Sequence, residues 1–127
     1  METTRLLIID DHDPVREALE ARLRTAAGVE ISGSTGCWKT GLRETIKLKP
    51  DAVLLETKRA DGQGLEALRC LTDQCPYTRV IVLTSYPDAE ERAKARHMGA
   101  VSYLLKDIDT RQLVREVQAS VRPQAPT

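Results

Sequence analysis

Ala52-Val53-Leu54-Leu55-Glu56 is an apolar run that ends in one carboxylate, and the polar stretch Thr57 to Gly64 behind it holds Asp61, Gly62 and Gly64. A buried strand that delivers an acid at its C-terminal end is a common way to build a site on a parallel sheet. The same grammar repeats outward in both directions. Leu6-Leu7-Ile8-Ile9 runs into Asp10-Asp11, Val80-Ile81-Val82-Leu83 into Thr84-Ser85, and Val101 to Leu105 into Lys106. Val29 to Ser34 reads as a weaker, alternating strand.

Between the strands the apolar period changes from two to about 3.6. Asp13-Pro14 is an N-cap candidate with a proline in the first turn, followed by Val15, Ala18, Leu19 and Leu23 at helical spacing. Trp38, Leu42, Ile46 and Leu48 mark a second helix, to Lys49, stopped by Pro50-Asp51. Leu65, Leu68 and Leu71 mark a third, ended by Cys75-Pro76. Pro87-Asp88 opens a charged helix from Ala89 to Met98, closed by Gly99, and Asp109-Thr110 caps a last one carrying Leu113, Val114, Val117 and Val121. Five strand–helix units make an α/β chain with a parallel sheet covered on both faces. Right-handed crossovers then put the C-terminal ends of the strands on one edge, where such sheets bind ligands.

The chain has 127 residues, one domain's worth, with 19 basic and 19 acidic side chains. That balance gives no charge argument for a polyanion partner. With no Phe, three Tyr and one Trp, the core must be built of Leu, Val, Ile and Ala. Cys37, Cys70 and Cys75 form no CxxC and read as free thiols, Cys70 as a small buried apolar residue. Trp38 reads as a core residue or packing lid, and His12 and His97 as solvated. No signal peptide or membrane span is expected, so the reading is a cytoplasmic protein. Arg122 to Thr127, with Pro123 and Pro126, reads as a linker.

Four strands that each end in a reactive group converge on one chemistry. Asp10, Asp11 and Glu56 repel one another and call for a cation, and hard oxygen ligands suit Mg²⁺. Lys106 aims a positive charge at the same place, and Thr84 offers a hydroxyl. A phosphoryl group there would meet an ammonium, a hydroxyl and a metal.

As a set, Asp10-Asp11, the acid ending the third strand, Asp61-Gly62, Thr84, Met98-Gly99-Ala100, Tyr103 and Lys106 resemble the receiver domain of two-component response regulators over residues 5–121. Tyr103-Leu104-Leu105 before Lys106, and Asp107 after it in place of the common proline, resemble the LuxR/NarL-type branch. The resemblance implies a flavodoxin-like three-layer (βα)5 fold with strand order 2-1-3-4-5. It implies a receiver over residues 1–121, a linker over 122–127 leading to a helix-turn-helix domain, a homodimer, and a sensor kinase upstream. It makes Glu56 the phosphoacceptor position, Asp10, Asp11 and Glu56 the acidic, Mg²⁺-binding pocket, and Thr84, Tyr103 and Lys106 the switch. Glu91, Arg92, Lys94 and Arg96 become surface contacts for a partner or output domain.

The family's acceptor is an aspartate, and Arg59 and Ala60 stand where Met or Leu and Pro are usual. Glu56 moves its carboxylate outward by roughly 1.5 Å, one bond length. Misplacement by about 1 Å can cost on the order of a hundredfold in a transfer step. The longer acid also carries charge towards Thr84 and Lys106, a partial stand-in for a phosphoryl group. The expectation is a regulatory module, not an enzyme, whose state does not wait for phosphorylation. Two alternatives stay open: a working acceptor labelled at Glu56 or a neighbouring acid, and a dimerisation module with a vestigial pocket. Whether Mg²⁺ binds with Glu56 in place is also left open.

Overall fold

The computed structural model describes residues 3–121; the linker read at 122–127 lies outside them. The chain alternates β1 (Thr4–Ile9), α1 (Asp13–Arg24), β2 (Val29–Thr35), α2 (Trp38–Leu48), β3 (Ala52–Leu55), α3 (Gly64–Gln74), β4 (Arg79–Thr84), α4 (Ala89–His97), β5 (Ser102–Leu105) and α5 (Thr110–Val121). The five strands form one sheet in the order β2-β1-β3-β4-β5, every pair parallel. This is the flavodoxin-like architecture and strand order that the resemblance implies.

The side-chain period of two sorts each strand between two cores. Leu7, Ile9, Val53, Leu55, Val80 and Val82 face α2, α3 and α4, packing on Trp38, Leu68, Leu71 and Ala95. Leu6, Ile8, Ala52, Leu54, Ile81 and Leu83 face α1 and α5, packing on Leu19, Leu23, Leu113 and Val117. The strands are apolar on consecutive residues because both faces are covered. Each fully buried Leu or Ile stabilises the fold by roughly 1.5–3 kcal/mol.

Several helix ends differ in detail from the sequence reading. Asp13 is the first residue of α1 rather than its cap; its carboxylate pairs with Arg16 at 2.7 Å instead of capping the helix. Lys49 leaves α2 in the left-handed region, at φ 48°, and donates its N–H to Thr45 O, so the helix stops one residue early. Asp88 and Asp109 act as expected, accepting the amides of Glu90 and Glu91 and of Gln112. The three thiols are free: Cys37 exposed, Cys70 half-buried and Cys75 buried. Trp38 is in the core and donates its indole N–H to Gln63 Oε1 at 2.8 Å, tying α2 to the start of α3. Among the described residues no helix is long and apolar enough to cross a membrane.

Candidate functional site

The register of the sheet brings the strand ends together. Ile9 lies beside Leu55, and Glu56 N donates to Ile9 O at 3.0 Å, so Asp10 and Glu56 leave the sheet side by side. Thr84 lies beside Leu105, and Lys106 N donates to Thr84 O at 2.9 Å. The long stem of Lys106 then reaches back across β4. Its ammonium sits 2.5 Å from Asp10 Oδ2 and 2.8 Å from Glu56 Oε1. Both acids are buried, Asp10 at 2% exposure and Glu56 at 4%. Burial pulls the Lys106 pKa down, but the bonds and charges of Asp10 and Glu56 outweigh it and hold the value above that of a free lysine.

The remaining carboxylate oxygens meet backbone donors. Asp10 Oδ1 accepts from His12 N and Glu56 Oε2 from Lys58 N, each at 2.9 Å. Asp11 turns towards the loop behind β3, where its Oδ2 accepts from Ala60 N at 2.9 Å. The three acids expected to crowd around a cation are therefore divided. Two share an ammonium, and the third holds a peptide N–H. Above them lies an open cleft of about 290 Å³, lined among others by Asp11, Glu56, Lys58, Tyr86 and Lys106.

The other expected residues are distributed differently. Thr84 is fully buried, and its hydroxyl accepts from Tyr86 N at 3.1 Å, closing the turn after β4. Of the two groups towards which the longer acid was expected to carry its charge, Glu56 pairs with Lys106, while the Thr84 hydroxyl is engaged by Tyr86 N. Tyr103 lies inward: its hydroxyl accepts from Asp88 N at 3.3 Å and donates to Glu91 Oε1 at 3.4 Å. Burial raises the Tyr103 pKa. Arg92, Lys94 and Arg96 are exposed on α4, with the Arg92 guanidinium 5.9 Å from the Tyr103 ring. Glu91 needs correcting. It is not a surface contact but a buried acid bonded to Thr57, Lys58 and Tyr103, because its position on the first turn of α4 faces the loop behind β3.

Two neighbours of Glu56 were missed as site residues. Lys58 pairs with Glu91 at 2.8 Å and Asp88 at 3.5 Å, and Thr57 donates to Glu91. Their positions directly after the strand-ending acid were the available signal. Arg59, noted only as a departure from an apolar residue, buries its side chain. It bridges Gly36 O at 2.6 Å and Asp61 Oδ2 at 3.2 Å, locking the loop after β3 to the loop after β2.

Residues 6–118 match the response regulator receiver domain family. The chain belongs to that family. It is 35% identical over 114 residues to the transcriptional regulatory protein YhcZ of Bacillus subtilis, covering 90% of this chain and 53% of that protein. It is 29% identical over 120 residues to the response regulator protein VraR of Staphylococcus aureus, covering 94% of this chain and 57% of that one. The chain thus spans about half the length of these relatives. Its fold superposes on the receiver domain of the response regulator NarL from Mycobacterium tuberculosis with a TM-score of 0.87, at 22% identity, over 98% of this chain and 100% of that one.

Receiver domains are signalling modules, and they typically bind Mg²⁺ at the phosphorylation site. The donor set here does not fit an ion held by all three acids. Lys106 already occupies one oxygen of Asp10 and one of Glu56, Asp11 is engaged by Ala60 N, and among the described residues no three acids are grouped to hold a metal.

Proposed function

We propose that this receiver is a regulatory module whose state is set by Glu56 rather than by transfer of a phosphoryl group. The observation that carries the reading is the ion pair between Glu56 and Lys106 at 2.8 Å, in a domain whose Tyr103 already lies inward. In this reading Glu56 stands at the phosphoacceptor position. Lys106 holds its charge in place, Asp10 shares the same ammonium, and Asp11 fixes the loop at Ala60. Thr84 and Tyr103 retain the side chains of a switch, with Tyr103 in the position that would follow activation. The acid lies within the protein and both its oxygens are engaged, so in-line attack on a phosphoryl donor is disfavoured.

The module would serve a transcription regulator of the LuxR type, with residues 1–121 as receiver and 122–127 leading to a DNA-binding domain. Homology to YhcZ and VraR supports that reading. A cytoplasmic location and homodimerisation through the exposed Arg92, Lys94 and Arg96 face of α4 belong to the same proposal.

Incubation with [³²P]acetyl phosphate and Mg²⁺ tests it. The expected result is no stable label at normal receiver rates, with or without Glu56. Stable labelling that Glu56→Ala abolishes would overturn the proposal in favour of a working acceptor. A parallel Mg²⁺ titration followed by Trp38 fluorescence should show no saturation in the low millimolar range.

A further inference from the structure

We propose that Glu91 is the positioning residue that couples the loop behind Glu56 to Tyr103 and to the first turn of α4. The inference rests on the receiver reading and concerns how the two ends of the switch communicate.

Glu91 is a charged residue on a helix of charged residues, yet its side chain is only 10% exposed. Its Oε1 accepts from the hydroxyls of Thr57 and Tyr103, and its Oε2 pairs with Lys58 Nζ at 2.8 Å. Thr57 and Lys58 directly follow Glu56, and Lys58 N donates to Glu56 Oε2. A continuous chain of polar contacts therefore runs from Lys106 through Glu56, Lys58 and Glu91 to Tyr103. It ends on the α4 cap, where Asp88 N donates to the Tyr103 hydroxyl. Thr84 lies outside this chain, since its hydroxyl bonds the Tyr86 amide.

A carboxylate taken this far from water is stable only with donors around it. Glu91 draws those donors from two other elements, the loop after β3 and strand β5. Any movement of Glu56 that carries Thr57 and Lys58 along must either pull α4 with it or strip Glu91 of its partners. Tyr103 shares the same acceptor, so its inward position follows the loop. The state of Glu56 is thereby read at Tyr103 through α4.

Hydrogen exchange of the backbone amides on the full chain tests this. In Glu91→Ala, the amides of the 57–63 loop and of the first turn of α4 should both exchange roughly 5–30-fold faster, the effect of losing 1–2 kcal/mol of local stability, while those of α1 and α5 hold their rates. Acceleration in only one of the two segments, or in neither, would overturn the proposal. If that variant does not fold, Thr57→Val and Tyr103→Phe replace it. Thr57 and Tyr103 each bond Glu91 Oε1 from a different element, and the Asp88 amide reports directly on Tyr103. The proposal expects Thr57→Val to speed exchange at Asp88, and the double variant to be no faster than Tyr103→Phe alone. An unchanged Asp88 amide in Thr57→Val, or independent effects that multiply, would refute it. No phosphoryl donor enters these measurements, so their outcome is separate from that of the labelling experiment.

Discussion

Lys106 Nζ lies 2.8 Å from Glu56 Oε1 while also 2.5 Å from Asp10 Oδ2, so one ammonium is shared by two buried acids that end two different strands. The pocket is thereby organised by a side chain of the protein itself. The consequences of that arrangement, and of the loop that frames it, can be measured.

Replacing Lys106 with Met should destabilise the domain by about 3–5 kcal/mol, because breaking a buried ion pair leaves uncompensated charge. Urea unfolding at neutral pH measures the loss. The pH dependence has a definite sign. Burial works against the Lys106 charge, but Asp10 and Glu56 raise its pKa above the unfolded value. Its contribution is therefore fully present below the unfolded lysine pKa of about 10.4 and fades only as pH rises through the higher folded value. The gap between wild type and Lys106→Met should be flat through neutral and mildly alkaline pH and close above that. A gap that closed in the mildly alkaline range would contradict the ion-pair geometry.

Gly64 and Gly62 should respond differently to alanine. A Cβ on Gly64 would collide with the carbonyl oxygen of Thr57, a backbone atom that cannot rotate away. Gly64→Ala should cost at least the roughly 1–3 kcal/mol of a forced core overpacking. Gly62 sits at φ +71° with open space around it, so its alanine variant should cost only the left-handed penalty of about 1–2 kcal/mol. Denaturation midpoints of the two variants give the comparison.

Thr84→Val should cost about 1–2 kcal/mol, because the Tyr86 amide loses its acceptor at a fully buried position. Thr84→Ser should restore most of it. The near-ultraviolet signal of Tyr103 should not change in either variant, since Tyr103 is held by Asp88 and Glu91.

The three cysteines should separate kinetically. A hydrogen bond from the Thr40 hydroxyl, aided by the Thr40 amide, lowers the pKa of the exposed Cys37 thiol. Burial raises those of Cys70 and Cys75. With a disulfide reagent at mildly alkaline pH, Cys37 should react first, with Cys75 slowest. Mass mapping of the labelled peptides checks the order.

Much of this architecture was legible in the chain itself. Leu6 to Ile9, Ala52 to Leu55 and Val80 to Leu83 announce strands covered on both faces, because burial on two sides removes the polar residue from every second position. Asp10, Glu56 and Lys106 could be placed on one edge, because parallel strands joined by right-handed crossovers end on the same side. Glu91 could not be read this way. It stands in a run of charges where a solvated helix face is the ordinary expectation, and only the packing of α4 on the loop after β3 turns it inward. The bridging role of Arg59 was not legible either, since its acceptor Gly36 O comes from a loop 23 residues earlier.

Sequence alone therefore determined the order of strands and helices, the two cores and the identity of the groups at the strand ends. These follow from periodicities set by neighbouring residues along one chain. Tertiary structure decided which acid takes the ammonium, which takes a peptide N–H, and that Glu91 rather than Thr84 holds the tyrosine hydroxyl. Those choices turn on differences of an ångström or two between side chains carried by separate elements. Such distances exist only once the sheet register and helix packing have placed all of them together.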